Sequence, residues 1–562
     1  MMKRTWKIIL ISLAGIIVLI LGAAWYLSVH WKGLLDKQLS RSVKESSDSL
    51  YTLAYKEIHL NLLTGSVGIE NVVLLPDSAV YARMVAEQRA PTTVYNAKMS
   101  SLQISGMNII SYFLKKKVNA GAFVVKDPEI TIIDDQRSTD TTPKRSLYES
   151  LHDNIRSFSV GRIDLEDTKL TFTQIRKDSS KVITQLEGVT MKIRGLEIDS
   201  ISEQDPARFL YARNFDLELK KWDYRTPDSL YWMHVNGISY NAVARELNVA
   251  EVKLDPRYNK ADFDKKIKTQ KDRYQLAFRE LRLQGIPFIS LLQRQEFFVK
   301  RMDINGGELN IYRNRGLPMP PGNKLGQFPN QLLRKLQMPL LIDTIRAKGV
   351  DISYTELHPE SGDPGKIEFH NAGGIFRNIT NVDSLIARQG HCLIDLHAIL
   401  MKTGKLRAHF DFSLTDTTGV FAVSGQLKDM DGKEFNQVTK ALGNIQIRSA
   451  LIKELEFSMK GNERTASGTL KLLYSNLKIA MLKDEEDKDG NKKKKGLASL
   501  FANLLAIKNE NPSPGEAVRI AKPTYRRDIQ KTFFNLVWKT IFTGVKETVG
   551  TPLLETMGKR KK

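Results

Sequence analysis

Between about residues 50 and 480 the apolar residues of this chain recur at every second position. That period constrains the fold more than any other feature. Residues at i and i+2 share a face in a strand but not in a helix, so the chain must form sheets with one apolar and one polar side. Val67 and Ile69, then Val72 and Leu74, show it first. Leu102 and Ile104, Ile130 and Ile132, Ile163 and Leu165, Leu170 and Phe172, Leu217 and Leu219, and Leu309 and Ile311 follow. Gly, Asn, Asp and Pro bound these runs, and Gly65, Gly68 and the Gly306-Gly307 pair read as turns between strands. Helical spacing is confined to residues 31–43, 108–114 and 289–297. The chain is mainly β.

The pattern also repeats. Ile58, Asn61, Ile69, Val72, Leu74 and Pro76 recur 180 positions on as Ile238, Asn241, Val249, Val252, Leu254 and Pro256. An offset of 179 carries Leu102, Ile104 and Gly106 onto Leu281, Leu283 and Gly285, Ile110 and Ser111 onto Ile289 and Ser290, and Ile130 and Ile132 onto Leu309 and Ile311. A weaker continuation pairs Ile163, Leu170 and Phe172 with Ile345, Ile352 and Tyr354. A first β repeat over 32–200, a second over 201–385 and a further β region over 386–480 predict an elongated, bent sheet of repeating strands. About 25 strands at ~4.8 Å would extend about 120 Å.

Residues 8–27 are twenty positions without a charge, enough to cross a hydrocarbon core ~30 Å thick as a helix. Lys3, Arg4 and Lys7 precede them, and Trp6, Trp25, Tyr26 and Trp31 stand where interfacial aromatics belong. Residues 1–31 therefore read as a cytoplasmic tip and single-pass anchor, with the body across the membrane. A cleavable signal peptide competes through Gly22, Ala23 and Ala24, but the apolar run exceeds the usual signal core of about 7–15 residues. Cys392 is the single cysteine, which excludes an intrachain disulfide and a zinc site of several thiolates. The formal charge of +22 suits an anionic partner. No zinc-finger spacing or RNA-binding signature accompanies it, so phospholipid is favoured over nucleic acid.

Residues 481–515 carry a charged linker over 483–495 and a short amphipathic helix in which Leu497, Leu500, Phe501, Leu504 and Leu505 share a face. In the tail, 516–562, Ile529, Phe533, Val537, Ile541 and Val545 lie four apart, joined by Phe534, Trp538 and Phe542 and flanked by Lys531, Lys539 and Lys546. Phe533, Phe534, Trp538, Ile541 and Phe542 are candidates for docking either on a membrane or on the end of the sheet. Catalytic chemistry is hard to place. His391, Cys392, Asp395 and His397 are neighbours in sequence, yet the two histidines are six apart and no third ligand is evident. His152-Asp153 reads as a solvated turn. There is no Gly-x-Ser-x-Gly elbow and no phosphate-binding Gly-x4-Gly-Lys loop. The expectation is a non-enzymatic protein without cofactor or metal.

An apolar anchor, a Tyr-x-x-Ile-x-Leu-Asn-Leu-Leu-x-Gly stretch over 55–65, and paired alternating strands resemble the AsmA-like proteins of Gram-negative envelopes. Gly468, Leu470, Leu472, Tyr474 and Leu477 meet that family's Gly-x-Leu-x-Leu-x-Tyr-x-x-Leu pattern near its C-terminal conserved part. The charged linker and aromatic tail depart from it. The resemblance covers about residues 5–480. It implies an inner-membrane protein with its body in the periplasm and a long β-sheet bearing a hydrophobic groove. Such a groove would shield phospholipid acyl chains and support transport between membranes and outer-membrane assembly. Phospholipids and the inner membrane are the expected partners, with the outer membrane or its proteins as further ones. Groove candidates are Ile69, Leu74, Leu102, Ile104, Ile130, Ile132, Val249, Leu254, Leu281, Leu283, Leu309, Ile311, Leu470 and Leu472. The alternative is an assembly factor whose sheet edge templates outer-membrane protein strands by β-augmentation.

Overall fold

The computed structural model describes residues 43–45, 47–61, 65–107, 115–135, 137, 148, 156–176, 178–202, 205, 208, 211–287, 291, 296–443, 445–481 and 507–550. The apolar stretch 8–27, the helical spacings at 31–42, 108–114, 289–290 and 292–295, His152-Asp153, the linker 483–495 and the helix 497–505 lie outside these residues. Of the described residues 59% are in strands and 14% in helices, with both parallel and antiparallel pairing. No helix among them is long and apolar enough to cross a membrane. The chain divides into two compact units. One holds the described residues to Tyr224 with His234–Ala250 and Gln284–Glu296; the other holds Arg225–Met233, Glu251–Leu283 and the described residues from Phe297.

In the first unit β1 (Tyr51–Ala54) and β2 (Glu57–Asn61) pair antiparallel with successive parts of β3 (Ser66–Pro76). β3 pairs with β4 (Thr93–Ser105), and β4 with both β5 (Lys117–Lys126) and β6 (Glu129–Asp135). β5 and β6 then run parallel to β7 (Ser157–Ile175), which continues antiparallel into β8 (Lys181–Ile198) and β9 (Ala212–Arg225). The apolar residues change phase midway through these strands, from Val67 and Ile69 to Val72 and Leu74 in β3 and from Ile163 and Leu165 to Leu170 and Phe172 in β7. Between them stand Asn71 (φ 51°), Asp127 (φ 48°) and Asp167 (φ 52°), all left-handed. Each re-aims the side chains that follow it. The resets are aligned: Ser100 of β4 donates to the Asp127 carboxylate at 2.9 Å, and the pairs flanking Asp127 and Asp167 keep one register. One face of the unit thus stays apolar along its whole length.

β10 (Tyr231–Asn241), β11 (Glu246–Pro256) and β12 (Arg273–Gln284) are divided between the units. In the second unit β13 (Phe297–Asn314) runs parallel to β14 (Leu340–Leu357). An antiparallel succession follows: β15 (Pro364–Thr380), β16 (His391–Leu400), β17 (Gly404–Ser413), β18 (Phe421–Asp431), β19 (Ile445–Gly461) and β20 (Thr465–Met481). The short β21 (Ile520–Ala521) and β22 (Thr524–Arg526) occupy the outer edge of β20.

The residues that the sequence repeat equates make equivalent pairs. Ile132 stands beside Phe172 across a parallel step, as Ile311 stands beside Tyr354. The phase resets correspond as well, with Gly306 (φ 88°) and Gly349 (φ 67°) at the offsets that separate the repeats from Asp127 and Asp167.

Three sequence readings need correction. Gly68 lies inside β3 and Gly306-Gly307 inside β13, so neither marks a turn; only Gly65 does. A Cβ at Gly307 would lie 2.6 Å from the Ala277 carbonyl, which explains glycine within a strand. Ile529 belongs to a turn before the last helix, Phe533–Val549, which Gly550 closes in the left-handed conformation. Phe297 opens β13 and is not helical. Helices Ser78–Ala86, Lys260–Ile267, Pro329–Arg334, Asp383–Ile386 and Asn436–Gly443 have no counterpart in the sequence reading. They are too short to display a period. Caps mark the first two: Asp77 accepts from the amides of Ala79 and Val80, and Asn259 from that of Asp262.

Candidate functional site

The apolar face of the second unit is built by register. Met302, Ile345, Phe376, Ile394, Phe410, Val423, Met459 and Gly468 form one unbroken row of cross-strand partners from β13 to β20. Ile304, Ala347, Gly374, Leu396, Ala408, Gly425, Phe457 and Leu470 form the adjacent row. Seven strand spacings give the rows a length of about 34 Å. Met302, Ile304, Ile345, Phe376, Ile394, Leu396, Phe410 and Phe457 are all half-buried.

In the second row two pairs of small residues, Ala347 with Gly374 and Ala408 with Gly425, separate the large ones. A Cβ on Gly425 would sit 2.5 Å from the Phe457 ring, and one on Gly374 would strike the Asp395 carbonyl and come within 2.7 Å of Leu396. Phe457 and Leu396 therefore lie over the neighbouring glycines.

At one end this face is covered by the chain itself. The Phe533 ring lies 5.1 Å from that of Phe328, 5.2 Å from Phe412 and 4.9 Å from Phe421 (centroid distances), closing a cluster with Ile386, Cys392 and Leu536. Further along the same helix, Gly544 presses on Leu470, where a Cβ would lie 2.9 Å from the leucine Cβ.

The residues singled out in the sequence fall into three settings. Ile69, Leu74, Leu102, Ile104, Ile130 and Ile132 meet in the first unit and are all buried, Leu102 and Ile132 to 1% exposure. Val249 and Leu283 are buried, while Leu254 and Leu281 are half-buried, Leu254 against Tyr231 and Phe263. Leu309 and Ile311 are half-buried beside Ile352 and Tyr354. Leu470 and Leu472 are buried where the last helix packs.

Of the tail residues, Phe533 is buried and Ile541 half-buried on the sheet side, whereas Phe534, Trp538 and Phe542 are exposed. Phe376, Ile394, Leu396 and Phe410 escaped the sequence reading, and Ile345 and Phe457 were not among its groove candidates. Their alignment in two rows depends on five strand registers, which no local pattern shows.

The opposite, polar face of β16–β20 forms an open hollow of about 650 Å³ lined by Asp395, Arg407, His409, Gln426, Glu456 and Lys471, with Ile520 at its side. Its charges are largely paired. His409 Nδ1 lies 2.7 Å and the Arg377 guanidinium 2.6 Å from the Asp395 carboxylate, and both hold that carboxyl below its ordinary range. Glu456 and Glu454, at 2.6 and 3.1 Å, push the Lys471 ammonium up.

The chemically suggestive cluster of the sequence separates on β16. His391 bonds Asp411 at 2.6 Å and Asp395 bonds His409, while Cys392 points into the core. Burial, with Asp411 nearby, pushes the Cys392 thiol up to about 11, which disfavours a thiolate. The chain matches no family model and no curated protein.

Proposed function

We propose that this protein is a non-enzymatic envelope protein that shelters phospholipid acyl chains on the apolar face of its second unit. In this reading it is held in an inner membrane by residues 8–27, with its body in the periplasm, and it supports phospholipid movement between membranes and outer-membrane assembly. The observation that carries the reading is the pair of in-register apolar rows whose members from Met302 to Phe410 stay half-buried. Ile394, Phe410 and Phe457 pack against the aromatic cluster closed by the last helix, whereas Met302, Ile304, Ile345 and Phe376 lie outside that cluster and stay partly in contact with water.

A lipid accounts for that exposure. At ~0.8 kcal/mol per CH₂, a chain of about 16 carbons left in water costs on the order of 12 kcal/mol. A continuous apolar face lets such a chain slide, because each step exchanges one apolar contact for another. An elongated, grooved sheet is the shape this function requires. The β-augmentation alternative is disfavoured at one edge, since β21 and β22 already pair with β20.

The experiment is photocrosslinking in membranes from a benzophenone amino acid at Met302, Ile345 or Phe376, with Arg407 on the polar face as control. Phospholipid adducts at the first three positions and none at Arg407 are expected. Adducts to peptide alone would establish the assembly-factor reading instead.

A further inference from the structure

The helix Phe533–Val549 distributes its side chains in an unusual way. Beyond Phe533, its buried arc is Leu536, Val537, Thr540, Gly544 and Thr548, more than half of it small or hydroxylic. Thr540 and Thr548 donate to the carbonyls of Leu536 and Gly544 at 2.8 Å, so these buried hydroxyls are satisfied within the helix itself. Phe534, Trp538 and Phe542 lie on another arc, 66, 46 and 38% exposed. Trp538 and Phe542 stack at 5.8 Å, and the Nζ atoms of Lys539 and Lys546 stand 5.9 and 5.5 Å from the Phe542 centroid. The helix closes on the sheet through Phe533, Leu536, Val537, Ile541 and Val545 together with threonine and glycine, and it turns the rings of Phe534, Trp538 and Phe542 to the outside.

We propose that this outer arc is a docking surface for a bilayer that carries anionic lipid, with the rings entering the headgroup boundary and the lysines meeting phosphates. Charge complementarity supports that occupant. Residues 507–550 contain eight Lys and Arg against four Asp and Glu. Glu547, the helix's one acid, falls about half a turn from the middle of the aromatic arc at 100° per residue. Lysine beside Trp and Phe is the composition of helices that lie in a membrane interface, whereas protein interfaces are depleted in lysine. The surface uses none of the side chains in the two apolar rows, so it stands or falls separately from the sheltering of acyl chains.

The test uses the full chain with Cys392→Ser and Asn535→Cys, labelled at residue 535 with a polarity-sensitive fluorophore and reconstituted in phosphatidylcholine vesicles with or without phosphatidylglycerol. Because the fluorophore reports on the helix alone, membrane insertion elsewhere in the chain does not register. Emission shifts to the blue with phosphatidylglycerol and returns in high salt. Lys539→Gln with Lys546→Gln raises the anionic lipid needed by roughly thirtyfold. Trp538→Ala reduces the shift without moving the unfolding midpoint. The proposal is overturned if emission is the same in both lipids, if it is already blue before lipid is added because the chain covers this arc itself, or if it shifts only when another protein is supplied.

Discussion

The two units present the same alternating sequence pattern with different outcomes. In the first, Ile69, Leu102, Ile104, Phe123 and Ile132 are sealed, each at 2% exposure or less. In the second, the equivalent step from β13 to β14 leaves Met302, Ile304, Leu309 and Ile311 half-buried. Alternation therefore fixes which side of a strand is apolar but leaves open whether that side is closed. Closure depends on what the rest of the chain brings to it.

The difference has measurable consequences. Phe123, fully buried and 6.3 Å from the Phe158 ring, is a closed-core residue. Phe123→Ala is expected to cost about 4 kcal/mol, read as a lowered denaturation midpoint and faster hydrogen exchange in β5 and β7. A loss below about 1 kcal/mol would break the contrast. Gly374→Val should cost about 2–3 kcal/mol through collision with Asp395 and Leu396. Gly443→Val, with nothing within 4 Å of the new Cβ, is the control that isolates sterics from backbone effects.

Ile345→Ala, on the half-open face beside Phe376, should cost only about 1 kcal/mol of stability while reducing lipid adducts formed from Phe376. A cost equal to that of Phe123→Ala would mean that the face is closed in solution. Smallest of all, Lys471→Ala removes half-exposed ion pairs with Glu456 and Glu454 and should change stability by less than about 1 kcal/mol.

Much of the fold was legible in the sequence. The period of two announced the strands, and the offset between Ile132 and Ile311 announced equivalent positions in two repeats. The phase resets were not legible, because a left-handed Asn71 or Asp167 looks like an ordinary turn residue until its neighbours are known to reset at the same level. The last helix was misread for a geometric reason. Phe533, Val537, Ile541 and Val545 all pack towards the sheet, but Phe534, Trp538 and Phe542 each follow one of them by a single position, about 100° further round, and face away. The sequence suggested one docking face where the helix has two, one for the sheet and one pointing away. The polar hollow left no local trace either, since Asp395, Arg407 and Lys471 come from three different strands.

The parallel pairing of β13 with β14 sends the chain back along a whole strand, and residues 315–339 make that return, delivering Phe328 to a cluster that is closed by Phe533. Lys324 donates to the Ile529 carbonyl at 2.7 Å, and Arg527 to the Lys324 carbonyl at 2.9 Å, joining segments about two hundred residues apart. During synthesis, which proceeds from the N-terminus, Phe328, Phe412 and Phe421 leave the ribosome long before the ring that covers them. The second unit is therefore completed only after translation has passed Phe533, and until then its aromatic end must be kept from other nascent chains by some means other than its own fold.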